Sequence, residues 1–116
     1  MSSPLQFASW REKPNHGNIH VTMNALDALG NPTRREILNE LRRAPMPVGA
    51  LARRFAVSRP AISRHLRVLQ NAGLVSPEDR GTQNVYAVRV QGFRAVREYI
   101  DSFWDVALSQ LEELAR

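Results

Sequence analysis

The sequence contains no cysteine, which excludes disulfides, thiolate metal sites and cysteine nucleophiles together. Lysine is nearly as scarce: of 16 basic residues only Lys13 is not arginine. No run approaches the ~20 consecutive apolar residues that a membrane helix needs, so no membrane partner is expected. Arg11, Glu12, Lys13 and His16 interrupt the first segment, which argues against a secretory leader and leaves the cytoplasm as the default compartment. There is no glycine-rich phosphate loop and no Ser-His-carboxylate set with a motif around it, so an enzyme is not expected. Carboxylates are missing from one long interval: none lies between Glu40 and Glu78.

That interval holds Arg42, Arg43, Arg53, Arg54, Arg59, Arg64 and Arg67, a positive patch with nothing to neutralise it. The whole chain carries a formal charge of +5, and its C-terminal end leans acidic through Glu98, Asp101, Asp105, Glu112 and Glu113. Such asymmetry suits an anionic partner at one end and a different task at the other. With 116 residues, 43% of them apolar, the chain supports one small domain, which gains from pairing with a second copy.

Residues 1–21 show no sustained period and contain Pro4, Pro14 and Gly17; they read as an irregular arm ahead of a single domain at 22–116. A short helix is expected over Met23–Leu29, ended by Gly30. Asn31 then caps a second helix, with Pro32 at its first position and Ile37, Leu38 and Leu41 on one stripe. Arg34, Arg35, Glu36 and Glu40 fall outside that stripe, and Pro45 and Pro47 stop the helix. A third helix is expected at about Val48–Phe55, with Val48, Leu51, Ala52 and Phe55 inward. The fourth opens at Ser58 and ends before Gly73, with Ile62, Leu66 and Leu69 inward. Only Ala56 and Val57 are left between helices three and four, which makes a helix-turn-helix corner.

After Gly73 the period changes. Leu74-Val75 and Val85–Val88 read as strands around a polar tip at 78–84. From Gly92 onward one helix is expected to run to the end. Val96, Ile100, Phe103, Ala107 and Leu111 recur every three or four residues, close to a coiled-coil seam, and Tyr99, Trp104 and Leu108 widen it. This stripe is too long for one small core to cover.

The pattern is mainly α with a small β-hairpin: a winged helix-turn-helix of order ααααββα. The second helix of such a corner fits the major groove of duplex DNA, about 12 Å wide. Ser58 lies at the helix start, where free N–H groups seat a phosphate. Arg59, Ser63, Arg64 and Arg67 project from the outer faces, and an arginine fork can bond guanine O6 and N7 together. Arg80, Thr82 and Gln83 at the hairpin tip are placed to touch the neighbouring groove or backbone. A protein-interaction module is the competing reading; the acid-free interval favours a polyphosphate, because protein interfaces mix charges.

The runs Ala28-Leu29-Gly30-Asn31-Pro32-Thr33-Arg34-Arg35-Glu36-Ile37-Leu38 and Ser58-Arg59-Pro60-Ala61-Ile62-Ser63-Arg64-His65-Leu66-Arg67-Val68-Leu69 resemble the ArsR/SmtB family of bacterial winged-helix transcription factors, over residues ~23–115. The resemblance implies a homodimer that binds operator DNA and usually represses, often at its own promoter. It places Ser58–Leu69, including Pro60 and His65, on the recognition helix and Gly81–Val88 in the wing. It gives the first and last helices the dimer interface, formed here by Val96, Tyr99, Ile100, Phe103, Trp104, Ala107 and Leu111.

The chain also departs from the family. The stretch matching the thiolate sensor is Val48-Gly49-Ala50-Leu51-Ala52, with no cysteine, and the last helix keeps Asp101 and Asp105 but no histidine. His16 and His20 stand four apart in the arm without a third ligand. No metal and no cofactor are therefore expected, a metal- or ligand-responsive sensor is the alternative, and no effector is assigned.

Overall fold

A computed structural model describes residues 24–116. The expected arm, with Leu5, Phe7, Trp10 and the His16–His20 pair, lies outside the described residues. The order of elements is α1 (24–29), α2 (Pro32–Leu41), α3 (Val48–Ala52), α4 (Arg59–Asn71), β1 (Val75–Arg80), β2 (Gln83–Val88) and α5 (Val90–Ala115).

Local chemistry starts and stops these elements where the residues require. Asn31 is extended and its side chain accepts from the Arg34 N–H at 3.1 Å, with Pro32 beginning the helix. Ser58 does the same for α4, its Oγ accepting from the Ala61 N–H at 3.3 Å. The end of α4 is closed by Gly73 at φ +79°. Leu74 N–H reaches back to the Leu69 carbonyl and Gly73 N–H to that of Gln70, a left-handed cap in which a β-carbon is costly.

Five helices and the base of the hairpin close over one core, α1 through Ala25 and Ala28 and α5 through Val96. Ile37, Leu41, Leu51, Ile62, Leu66, Leu69, Leu74 and Val75 are fully buried, each contributing about 1.5–3 kcal/mol relative to exposure. The two strands pair antiparallel from Val75 opposite Val88 to Arg80 opposite Gln83. Met46 adds a bridge to Tyr86, exchanging both backbone bonds at 3.2 and 2.9 Å. This ties the α2–α3 connection to the wing.

Three sequence expectations need correction. α3 stops at Ala52 rather than Phe55, so residues 53–58 form the corner and Phe55 packs on the core from the turn. The strands run through Glu78, Asp79 and Arg80 and leave only Gly81 and Thr82 at the tip. Cross-strand pairing overrides the polar character of those residues. α5 begins at Val90, before Gly92. Gly92 is buried against the Gly73–Leu74 turn, and the Arg89 N–H bonds the Leu74 carbonyl at 2.9 Å. None of the described helices is long and apolar enough to cross a membrane.

Candidate nucleic-acid interface

α4 buries Ile62, Leu66 and Leu69 and turns the opposite side to solvent. At 3.6 residues per turn, Pro60, Ser63, Arg64 and Arg67 occupy one outward sector about 100° wide. All four are exposed, as is Ser58 at the cap. Among the described residues no carboxylate lies within 4 Å of Arg59, Arg64 or Arg67; the ion pairs there are Arg54–Glu40, Arg80–Glu78 and Arg97–Asp101. The outer face of α4 is thus positive and uncompensated. Glu40 reaches into the acid-free interval and takes Arg54 out of the patch, at 3.0 Å.

Two recognition-helix candidates differ from this picture. Arg59 is exposed, but its guanidinium lies against Gly49 of α3, 3.6–4.0 Å from where a β-carbon would sit there. His65 is half-buried and faces α2, with Nδ1 3.4 Å from Arg34 Nη1. Burial, then the charges of Arg34 and Arg64, lower its pKa from the ordinary 6.5. Arg34 is the residue that sequence reasoning missed. It was expected to face outward; instead its Nε donates to the Ala28 carbonyl at 2.8 Å. Arg35 likewise donates to the Leu29 carbonyl at 2.8 Å, so the open end of α1 is closed by arginines from the next helix. No pattern within α2 announces this, because the acceptors belong to another element.

Arg80, Thr82 and Gln83 are exposed at the wing tip. Arg80 is paired with Glu78 at 3.1 Å, and Asp79 stands beside them, so the wing carries two carboxylates for one arginine.

The α5 seam divides in two. Val96 is 7% exposed and belongs to the core of its own chain, which corrects its assignment to a partner surface. Beyond it, Ile100, Phe103, Trp104 and Leu111 are 46–63% exposed, while Tyr99 and Ala107 are half-buried. Tyr99 and Phe103 meet edge to face with centroids 5.2 Å apart. Ile100, Phe103, Trp104 and Ala107 line a shallow depression of about 300 Å³. No three of the described His, Asp and Glu side chains gather in a way that could hold a metal.

Residues 31–76, from the α2 cap through the corner and α4 to the start of β1, match the family described as bacterial regulatory protein, arsR family. The chain is 44% identical over 90 residues to the HTH-type transcriptional regulator Rv2034 of Mycobacterium tuberculosis, covering 78% of this chain and 84% of that protein. It is 37% identical over 65 residues to the transcriptional repressor SdpR of Bacillus subtilis, covering 56% of this chain and 72% of the relative. Among solved structures, the ArsR-like transcriptional regulator from Rhodococcus sp. RHA1 superposes with a TM-score of 0.70 at 35% identity, over 86% of this chain and 97% of its own.

Proposed function

Because the chain belongs to the ArsR family of bacterial regulatory proteins, we propose that it is a cytoplasmic, homodimeric transcriptional repressor that binds an inverted-repeat operator. The observation that carries the reading is the outer face of α4, where Ser63, Arg64 and Arg67 stand exposed with no carboxylate within 4 Å. In a major groove this face offers an arginine fork for guanine and a short hydroxyl for either purine or pyrimidine edges. Arg67 and the N–H groups at Ser58 sit where phosphates pass. The wing tip, with Thr82 and Gln83, extends the contact along the duplex.

The exposed half of α5 supports the dimer. Phe103 and Trp104 are 61% and 63% exposed, and large aromatic side chains side by side on one helix mark a surface that another protein covers. A second copy related by a two-fold axis covers the identical face and sets two reading helices about 34–36 Å apart, one turn of DNA.

Metal-driven release is not part of the proposal. Thiophilic ions need soft ligands, and zinc sites are built mostly of Cys and His; the chain has no cysteine, and Asp101 is engaged by Arg97 at 3.6 Å. Repression governed by the protein's own concentration needs no further ligand. The test is a gel-shift with DNA from directly upstream of the gene, against a control duplex of equal length and composition. The proposal expects selective binding as a dimer over two inverted half-sites. Equal affinity for both duplexes, or one copy bound without a repeat, overturns it.

A further inference from the structure

Arg34 joins three parts of the fold. Its Nε donates to the Ala28 carbonyl at 2.8 Å and its Nη2 reaches that of Asp27 at 3.5 Å, which anchors the guanidinium on the end of α1. Its Nη1 lies 3.4 Å from Nδ1 of His65 on α4. A guanidinium has five donors, no acceptor and a permanent charge. The only hydrogen bond this geometry allows is one in which the Nδ1 lone pair accepts. The imidazole is then neutral and its one proton sits on Nε2. The surroundings agree: burial first, then Arg34 from α2 and Arg64 from α4, disfavour the charged ring.

We infer that Arg34 is a positioning residue for DNA binding: it fixes His65 in the Nε2–H form, so that the ring offers one oriented, neutral donor to a phosphate oxygen of duplex DNA. The identity of the acceptor rests on the DNA-binding reading above. A phosphate suits the place because the ring lies 3.4 Å from the Arg34 guanidinium and feels the charge of Arg64 as well, and neither arginine is paired with a carboxylate among the described residues. A neutral ring held by a charged neighbour keeps its orientation before DNA arrives, which limits the ordering cost of contact.

The test reads the ring and the binding separately. In nitrogen-15 spectra of the full chain without DNA, His65 should show a bare Nδ1 and a protonated Nε2. Arg34→Met should give a mixture of tautomers and a pKa closer to the ordinary value. Against a mixed-sequence duplex at low salt, Arg34→Met and His65→Phe should each weaken binding about tenfold, the scale of one hydrogen bond to a charged group. The double variant should be no weaker than His65→Phe alone. An Nδ1–H tautomer in the unmodified protein, a tautomer indifferent to Arg34, or losses that simply add would overturn the inference. If Arg34→Met does not fold, the unmodified protein still decides: a nitrogen–nitrogen coupling through the Arg34 Nη1–His65 Nδ1 hydrogen bond supports the assignment, and its absence refutes it. A tautomer that responds to Arg34 in a protein that binds no duplex refutes the phosphate acceptor while leaving the control of the ring standing.

Discussion

Replacing Gly92 by alanine sets two ordinary effects against each other, and the structure decides the sign. In an exposed helix interior, glycine to alanine gains about 1 kcal/mol. At position 92 the added β-carbon would lie 2.0 Å from the Gly73 carbonyl oxygen, 2.8 Å from its carbon and 3.3 Å from Leu74 Cδ2. Even a close carbon–oxygen contact needs about 3.3 Å, so α5 and the Gly73 turn must part by roughly 1 Å. Neither side yields easily. Gly73 is held at φ +79° by the cap that ends α4, and α5 is tied there by the Arg89–Leu74 bond. Overpacking typically costs about 1–3 kcal/mol, and backbone against backbone belongs at the top of that range. A net loss of about 1–2 kcal/mol lowers Tm by about 5–15 °C in a domain of this size. The assay is thermal unfolding by circular dichroism at one fixed protein concentration, since any self-association makes Tm concentration-dependent. Gln91→Ala, on an exposed neighbour, is the control. A Gly92→Ala protein as stable as the unmodified chain, or more so, refutes the reasoning.

Three further outcomes follow from particular contacts. Glu78→Gln removes a carboxylate from the wing and frees Arg80 from its 3.1 Å ion pair; duplex affinity should rise and the salt slope should steepen by about 0.9, one added phosphate contact, whereas an unchanged slope in a salt titration means the wing does not meet DNA. Phe103→Glu puts a charge at the centre of the exposed α5 face and should raise the dimer dissociation constant about thirtyfold or more, as loss of a central aromatic anchor does; sedimentation that still shows the dimer at the same concentration contradicts the interface. His65 has a lowered pKa, so below about 6.5 the unfolded chain binds the proton more readily than the folded one, and stability should decline as pH falls from ~6.5 towards the folded value. Urea midpoints from pH ~7.5 to ~5.5 check this, and His65→Gln should remove that part of the slope.

What the sequence revealed was whatever is written within one element. Asn31-Pro32 and Ser58 mark helix starts through their own side-chain and backbone chemistry, and Ile62, Leu66 and Leu69 mark a buried face by spacing alone. The outer face of α4 follows from the same spacing. What stayed hidden depends on groups far apart in the chain. Arg34 meets His65 across 31 positions, and Gly92 is required by a carbonyl 19 residues earlier. The α5 seam is continuous in sequence, but the core of a single chain claims Val96 and leaves the rest; periodicity registers an apolar face without saying what covers each part of it. The tip of the hairpin was misplaced because Glu78, Asp79 and Arg80 carry turn-like polarity, and only their pairing with Val85, Asn84 and Gln83 makes them strand.

The central claim is that α4 reads duplex sequence through its outer face, and Arg64→Ala tests it most directly. Fluorescence anisotropy with the upstream duplex, repeated with each base pair of one half-site changed in turn, measures affinity and preference together. If Arg64 forks onto a guanine, the variant should lose about 1–3 kcal/mol and become indifferent at one base position. If it touches only a phosphate, all sequences weaken alike and the salt slope flattens by about 0.9. An Arg64→Ala protein with the affinity, preference and salt dependence of the unmodified chain contradicts the account.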